Sequence, residues 1–456
     1  MSKSRWGART NPRYKTYTIK NIKELPQIDR LSKSQLRAME VVSAVLPFRT
    51  NNYVTENLIN WDDFADDPMF ILNFPQKDML KSHHFRMMEA ALAKRDKKAA
   101  LKIANQIRYE LNPHPAGQLL LNTPVLSDGT VLMGLQHKYR ETVLFFPLQG
   151  QTCHAYCTFC FRWPQFVGLD DLKFGMKESE LLVSYLREHK EVSDVLFTGG
   201  DPMVMKARVL ERYIDAILDA NLPHVQTIRI GTKALSYWPY RFTTDSDADD
   251  VMRIFEKAID KGKHVAIMAH FTHPVELRTD GVREAIKRLH NVGIEIRCQA
   301  PLLRHINDSA GCWADMWREE ARLGAVPYFT FVPRDTGAQH YFSVPLAEGV
   351  KIFQEAMVLV SGIGRTVRGF SMSATPGKVQ VLDVREMNGE KVFVLRMLQG
   401  RNPEWCYRVF FAKYDPKAIW LDDLKPAFGE KKFFYEDELS QMIADAQLKR
   451  QAAVGS

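Results

Sequence analysis

Cysteine is scarce in this sequence, with six residues among 456. So few thiols in so long a chain do not form a disulfide framework, and we expect a reducing, cytoplasmic setting. No apolar run reaches the length of a transmembrane helix, and the first fifteen residues lack the apolar stretch of a secretory signal. These absences argue against a disulfide-stapled secreted protein and against a membrane-spanning one.

Long tracts of one charge are also missing. The net charge is +8 and the pI is about 9.0, but Lys and Arg are interleaved with Asp and Glu. This pattern favours a mixed, solvated surface, so nucleic acid is not an expected partner. We find no internal repeat and no low-complexity segment.

The order of apolar segments predicts the fold. Residues 1–135 are polar and predominantly helical in pattern, with helical spacing of apolar residues between 76 and 111. Beyond about residue 142, short apolar runs alternate with amphipathic helical segments, which predicts a parallel sheet covered by helices. The six predicted strands are TVLFFPL, DVLFTGG, TIRIGT, HVAIMAH, IEIRCQ and PYFTFV. Six such units predict an α/β fold, a partial (β/α)6 TIM-like barrel over residues 136–370, with functional groups after the carboxyl ends of the strands.

Residues 371–456 are predicted to form a small C-terminal extension. The segments VQVLDV and KVFVLRM favour two strands joined by a turn at Asn-Gly. The preceding SATPGK is expected to be a loop, and DELSQMIADAQLKRQAAV near the end is expected to be a helix.

Half of the cysteines, Cys153, Cys157 and Cys160, fall within eight residues just after the first predicted strand. Three thiolates can hold three corners of a four-iron, four-sulfur cluster and leave the fourth iron open for substrate chemistry. Zinc is the first alternative, but a closed zinc site takes four ligands and no second Cys-x-x-Cys pair exists. A chance group of buried thiols is the remaining alternative, and the clustering argues against it.

Polar residues also follow other predicted strands. Gly199, Gly200 and Asp201 end the second strand, where glycines allow a ligand to approach the backbone and an aspartate can receive an ammonium group. His270 ends the fourth strand and Gln299 the fifth, on the same rim. A plain turn and satisfied capping groups are the alternatives for these five residues.

The Cys-x3-Cys-x2-Cys spacing, its place after the first strand and the six βα units together resemble the radical S-adenosylmethionine (SAM) superfamily. The resemblance implies a [4Fe–4S] cluster held by the three cysteines, whose open iron binds SAM. It also implies an external electron donor of the flavodoxin or ferredoxin type. Reduction then yields a 5′-deoxyadenosyl radical that abstracts hydrogen from the substrate. Gly199, Gly200, Asp201, His270 and Gln299 stand where members of the superfamily contact SAM.

Several longer stretches are similar to the lysine 2,3-aminomutase family, in that family's order over roughly residues 110–380. They are HKY (137–139), CHAYCTFCFR, DVLFTGGD, IRIGTK, HFTHP, QAPLLRHIND and PGK (376–378). The resemblance implies pyridoxal 5′-phosphate in Schiff-base linkage to Lys378, with Lys138 and Tyr139 near its phosphate. An imine nitrogen eases migration of an amino group between adjacent carbons. A surface lysine is the alternative for Lys378, since SATPGK keeps one glycine where the family has several.

The substrate prediction depends on two arginines. Arg162 matches the arginine with which the family clamps the substrate α-carboxylate, a role that suits a bidentate guanidinium. Lysine-specific members hold the distal ammonium with two aspartates, and here Arg334 stands at the first of these positions, with Ser373 near the second. A cation there favours an acidic substrate such as glutamate or aspartate. A one-residue slip would place Asp335 there and favour lysine.

The sequence therefore predicts a radical SAM isomerase that moves the amino group of a small-molecule amino acid from C2 to C3. Oxidation or elimination by the same residues is one alternative. Modification of RNA or protein and a purely structural metal site are the others. We expect a homo-oligomer, since related enzymes assemble through their terminal segments. We expect no C-terminal zinc site, because Cys406 is the only cysteine in the tail.

Overall fold

The computed structural model describes the backbone of residues 13–455 and the side chains of residues 13–451. The first twelve residues of the predicted N-terminal region, which include most of the segment tested for a secretory signal, lie outside the described part. None of the described helices is both long enough and apolar enough to cross a lipid bilayer.

The N-terminal region is helical, as predicted. Its five helices are α1 (Lys33–Ser43), α2 (Asn52–Asn57), α3 (Pro68–Asn73), α4 (Ser82–Ala93) and α5 (Lys97–Glu110). A two-residue strand pair, β1 (Thr16–Tyr17) and β2 (Thr50–Asn51), accompanies them. Side-chain caps set the helix starts: Ser32 forms a capping box with Gln35 at α1, and Asp96 accepts from two backbone N–H groups at α5.

One eleven-stranded sheet runs through the rest of the chain in sequential order. Its strands are β3 (Leu135–Tyr139), β4 (Thr142–Phe145), β5 (Asp194–Phe197), β6 (Thr227–Thr232), β7 (His264–His270), β8 (Glu295–Pro301), β9 (Val326–Phe331), β10 (Arg368–Ser373), β11 (Gly377–Met387), β12 (Glu390–Gly400) and β13 (Val409–Lys413). Strands β4 to β10 pair in parallel, and the pairs at either end are antiparallel. The fold is therefore α/β with a large, mostly parallel sheet.

Helices connect each successive pair of parallel strands, as right-handed crossovers require. They are α6 (Ser179–Glu188), α7 (Ala207–Asp219), α8 (Ala234–Tyr237), α9 (Ala248–Asp260), α10 (Asp280–Asn291), α11 (Ala310–Arg322), α12 (Gln339–Phe342) and α13 (Leu346–Val358). All six predicted strands and their helices are present. The predicted C-terminal helix is α14 (Glu436–Gly455). The closure of the sheet into a partial barrel stays a prediction.

Two details differ from the sequence-based expectation. Strand β10, with the sequence RGFSMS, is a seventh parallel strand that was not predicted, because only two of its six residues are strongly apolar. Gly377 and Lys378 open β11 instead of lying in a loop, and Lys378 pairs with Ser373 across the turn. The predicted domain boundary at residue 370 falls inside β10, and the domain limits remain predictions.

The hydrophobic residues form two cores. One lies between the sheet and its crossover helices. The other belongs to the N-terminal helices but also takes in Ala155, Trp163, Trp238 and Leu303, which follow the carboxyl ends of strands. The N-terminal region therefore packs over the edge of the sheet at which functional groups were predicted.

A carboxylic acid is buried inside the first core. Glu320 on α11 is 2% exposed and its Oε2 has no hydrogen-bond partner. Burial raises the pKa of Glu320 well above its ordinary value, and the neighbouring thiol of Cys298 bonds to it without offsetting that effect. The folded state thus holds a proton on this side chain where the unfolded chain does not.

We expect the stability that Glu320 contributes to be present in full below pH 4.5 and to fall as the pH rises towards its elevated folded-state pKa. The loss is about 1.4 kcal/mol for each pH unit in that window. Glu320→Gln removes this dependence of the free energy of unfolding on pH, because a glutamine side chain does not titrate. The Tm difference between wild type and Glu320→Gln should therefore move in favour of the variant from pH 5 to pH 8. A difference that is constant with pH would contradict this account.

Candidate active site

The three cysteines lie together in the loop that follows β4. All are free thiols and all are partly shielded from solvent. Burial raises the pKa of each thiol, that of Cys160 to about 12. Repulsion from Asp201 and from the other two thiols adds to the effect at Cys153, and repulsion from Cys157 adds to it at Cys160. Such thiols are neutral alone, and a cation among them would favour their ionised, ligating form.

The separation of the thiols bears on a site for a single ion. A tetrahedral zinc ion with Zn–S distances of about 2.3 Å would bring its sulfur ligands to about 3.8 Å from one another. Among the residues that the structure describes, the three sulfurs are not all within 4.8 Å of one another. At least one pair is therefore farther apart than one zinc ion would hold it.

The N-terminal region holds this loop in place. Arg49 donates from Nη1 to Thr152 Oγ1 (2.7 Å) and to the carbonyl of Cys153 (3.2 Å). Asn51 donates to the carbonyl of His154 (3.1 Å), and Thr158 N donates to the carbonyl of Leu72 (2.9 Å). Neither Arg49 nor Asn51 was identified from the sequence, where no motif marks them.

The glycines after β5 serve this loop directly. Gly199 has φ +133°, and a Cβ there would collide with the side chain of Gln151. A Cβ on Gly200 would collide with the backbone of Thr152. The two glycines therefore let the end of β5 lie against the cysteine loop, in addition to any ligand contact.

Asp201 is buried and its carboxylate is fully engaged. It accepts from the Thr232 hydroxyl (2.7 and 2.8 Å) and from the backbone N–H groups of Met203 and Lys233 (2.9 Å each). Burial raises the pKa of Asp201 to about 6. Its evident task in this structure is to tie the end of β5 to the end of β6, and its contact with SAM stays a prediction.

His270 and Gln299 lie side by side on neighbouring strands, as their positions predicted. The imidazole of His270 is 5.6 Å from the ring of Phe159 in the cysteine loop, and its buried Nε2 has no partner. Near them, the hydroxyl of Tyr237 lies 3.4 Å from Cys157 Sγ. The rim thus offers polar groups within reach of the thiols.

Arg162 and Arg334 meet at one aromatic ring. Arg162 is 7% exposed, and its Cζ lies 4.3 Å from the ring centre of Phe146 and 4.8 Å from that of Phe161. Arg334 approaches Phe161 at the same 4.8 Å. Burial, followed by repulsion from Arg334, lowers the pKa of Arg162 to about 9.

Neither guanidinium has a carboxylate bonded to it among the described residues. Arg334 donates to the Pro115 carbonyl (3.4 Å), and the buried Nε atoms of both arginines have no partner. Asp335 points its Oδ2 to Asn112 Nδ2 (3.2 Å) instead. One buried and one half-buried positive charge therefore converge without a bonded counter-ion among the described residues.

Lys378 faces an aromatic slot. Its Nζ lies 4.0, 5.6 and 5.7 Å from the ring centres of Phe329, Phe331 and Tyr139. Burial first, then repulsion from Arg229 and Arg368, lowers the pKa of Lys378 to about 7. An amine with this pKa is in part uncharged near neutral pH, unlike an exposed lysine.

Lys138 and Tyr139, the two residues predicted near the cofactor phosphate, lie near Lys378. Lys138 is half-buried and donates to the Ala374 carbonyl. Desolvation, helped by repulsion from Arg401, Arg334 and Lys378, lowers the pKa of Lys138 well below its ordinary value. Arg401, which the sequence did not single out, donates to the Thr375 carbonyl (2.7 Å). It thereby anchors the turn that precedes Lys378.

The fold and this loop define an α/β protein with three clustered thiols and a half-buried amine at one side of its sheet. No protein-family model matches the chain. A "Putative L-lysine 2,3-aminomutase" of Aquifex aeolicus is 30% identical over 414 residues, which cover 91% of this chain and 97% of that protein. Glutamate 2,3-aminomutase of Clostridioides difficile is 28% identical over 284 residues, 62% of this chain and 60% of that enzyme. L-lysine 2,3-aminomutase of Bacillus subtilis is 29% identical over 221 residues, 48% of this chain and 44% of that enzyme.

Among solved structures, SuiB of Streptococcus suis bound to SAM covers 60% of this chain and 52% of that protein, with 13% identity and a TM-score of 0.36. At that score the structural likeness adds nothing to the assignment, which depends on the sequence relatives. The chain belongs to the lysine 2,3-aminomutase family of radical SAM enzymes, which are isomerases. The predicted family and enzyme type are thereby confirmed.

Whether the N-terminal region keeps the cysteine loop ordered can be tested in protein that contains no iron–sulfur cluster. Arg49→Met removes two hydrogen bonds made by a charged donor, which contribute roughly 1.5–3 kcal/mol each. We expect the thiol of Cys157 to be alkylated by iodoacetamide at least about tenfold faster. Cys153 is a poorer reporter, because the charge of Arg49 lowers the pKa of its thiol and loss of that charge would slow the reaction. Arg30→Met, which alters an exposed arginine far from the loop, is the matched control. Equal rates in all three proteins would show that Arg49 does not order the loop.

Proposed function

We propose that this chain is a radical SAM and pyridoxal 5′-phosphate-dependent 2,3-aminomutase that acts on an amino acid with an acidic side chain, such as glutamate or aspartate. The observation that carries the proposal is the pair of guanidiniums on the ring of Phe161, Arg162 buried and Arg334 half-buried, with no carboxylate bonded to either among the described residues.

The cysteine loop suits the first cofactor. Cys153, Cys157 and Cys160 would hold three irons of a [4Fe–4S] cluster, which with SAM supplies a carbon radical able to abstract hydrogen. The orphaned Nε2 of His270 offers a polar contact to a ligand on this rim. Gln299, beside it, is the second such group.

The slot around Lys378 suits the second cofactor, which supplies an imine nitrogen and an electron-delocalising ring. An uncharged amine near neutral pH can attack an aldehyde, whereas an ammonium cannot. The rings of Phe329 and Tyr139 give a flat heterocycle faces to stack against. Lys138 would place positive charge near the phosphate.

The two arginines suit a substrate with two carboxylates. Arg162 would bind the α-carboxylate and Arg334 the side-chain carboxylate, each through a fork of N–H donors. Binding would neutralise both guanidiniums at once and so remove their mutual repulsion. A substrate ammonium beside Arg334 would instead add a like charge, at a cost of several kcal/mol in a desolvated pocket.

Lysine is the second candidate, because Asp335 has a buried Oδ1 without a partner. That oxygen could accept from a substrate ammonium. However, Arg334 and Lys138 both lie within electrostatic range of the Asp335 carboxylate and compete for it. This competition favours the acidic substrate.

The experiment is anaerobic turnover of the reconstituted protein with glutamate, aspartate and lysine, with 5′-deoxyadenosine and amino acid products followed by mass spectrometry. We expect a β-amino isomer of unchanged mass from an acidic amino acid. Arg334→Met should lower kcat/KM by at least about thirtyfold, since loss of one buried charge partner costs about 2–5 kcal/mol. Arg334→Lys, which keeps the charge, should retain part of the activity.

Arg365→Met is the matched control, because Arg365 also donates to a carbonyl, that of Val360, but lies exposed away from the site. Isomerisation of lysine alone would refute the acidic substrate and leave the family intact. A product of changed mass would indicate oxidation or elimination in place of amino migration.

Lys378 has its own test, which does not depend on turnover. Borohydride reduction after incubation with pyridoxal 5′-phosphate should fix the cofactor on the peptide that contains Lys378, and Lys378→Ala should abolish this label. The labelling rate should rise as the pH passes through about 7, because deprotonation frees the amine. Lys391→Ala, which alters an exposed lysine 3.9 Å from the ring centre of Tyr414, is the control. Labelling that is lost in Lys391→Ala, or that is lost in neither variant, would contradict the assignment.

A further inference from the structure

The helical N-terminal region contains a second group of metal-ligating side chains, separate from the cysteine loop. His83 and His84 lie in the first turn of α4, and Glu110 is the last residue of α5. One ligand atom from each lies within 4.8 Å of the other two. We propose that His83, His84 and Glu110 form a site for a divalent transition-metal ion of the zinc type.

The central histidine is already fixed in position. His84 is 3% exposed, and its Nε2 lies 2.7 Å from Glu110 Oε2. Its Nδ1 is also buried and has no partner. The other oxygen of Glu110 accepts from Gln106 Nε2 (3.2 Å), which orients the carboxylate. Such outer hydrogen bonds are what metal-ligating carboxylates usually have.

The distances are close to those that an ion requires. Zinc binds nitrogen and oxygen at about 2.0–2.2 Å, so tetrahedral neighbours lie about 3.4 Å apart. The contact between His84 and Glu110, at 2.7 Å, would open by less than 1 Å. His83, which is exposed, would close from within 4.8 Å, a movement of at most about 1.4 Å. The ligand set of two imidazoles and one carboxylate is one that zinc accepts, with a fourth position left to water.

The charge of the group is also suitable. Metal ligands bind as a carboxylate and as neutral imidazoles, so Glu110 would bring one negative charge to the ion and the two histidines none. The Glu110 side chain is 45% exposed, which leaves a path for an ion from solvent.

An ion here would tie two helices to the active-site edge of the sheet. It would link the start of α4 to the end of α5. The two residues after Glu110 then bond the loop after β9: the Leu111 carbonyl accepts from Gly337 N (2.9 Å), and Asn112 Nδ2 donates to the Asp335 carbonyl (2.7 Å). The site lies between two helices of the N-terminal region, keeps one position open to water, and is independent of the proposed function.

The test is Zn²⁺ binding to the full-length protein after its cysteine site has been loaded with iron and sulfide, so that those thiols are occupied. We expect one Zn²⁺ per chain in addition to the iron, and binding at least tenfold weaker in His83→Ala and in Glu110→Gln. Both variants alter exposed side chains, and both should keep the iron content of wild type. His264→Ala is the matched control, because His264 lies 3.4 Å from Glu295 but has no third ligand atom beside it.

Co²⁺ supplies an independent readout of the ligand type. Bound at this site it should show weak visible bands without the intense near-ultraviolet absorption of thiolate ligation. Wild-type protein that binds no Zn²⁺, variants that bind it as tightly as wild type, or a Co²⁺ spectrum dominated by thiolate bands would each overturn the proposal.

Discussion

The cysteine loop has no regular secondary structure between residues 151 and 162, so its buried backbone groups need hydrogen-bond partners from elsewhere. The N-terminal region provides them through Arg49, Asn51 and the carbonyl of Leu72. The end of β5 approaches from the other side, where Gly200 leaves room for the backbone of Thr152. Contacts from two regions of the chain thus hold the loop in place. These contacts set the positions of the three thiols and of Arg162.

Sequence reasoning identified the strands of the parallel sheet because burial on both faces makes them continuously apolar. It missed β10, whose Ser371 is fully buried although its residue type is usually exposed. It also treated the N-terminal helices as a separate region. Their contacts with the cysteine loop run through Arg49 and Asn51, single residues in irregular segments, and no periodic pattern marks such residues.

The candidate site likewise contains residues that the sequence identified and residues that it did not. The three cysteines were evident from their spacing, because ligands of one cluster must be close in sequence or in space, and here they are both. Asp201 was identified by its position, but the structure uses its carboxylate to cap a turn and to bond Thr232. Arg401 went unnoticed, since its task of anchoring the Lys378 turn depends on a fold that brings β12 beside β11.

One electrostatic condition connects the two halves of the site. Burial of many cations with few bonded carboxylates raises the cost of any further positive charge there. At Lys378, burial lowers the pKa of the amine, and repulsion from Arg229 and Arg368 adds to it. At the arginine pair, burial and repulsion from Arg334 act on Arg162 in the same direction. Desolvation is thus the shared cause, while the cations that add to it differ. In the proposed function it would free the lysine amine for attack and favour a carboxylate over an ammonium beside Arg334.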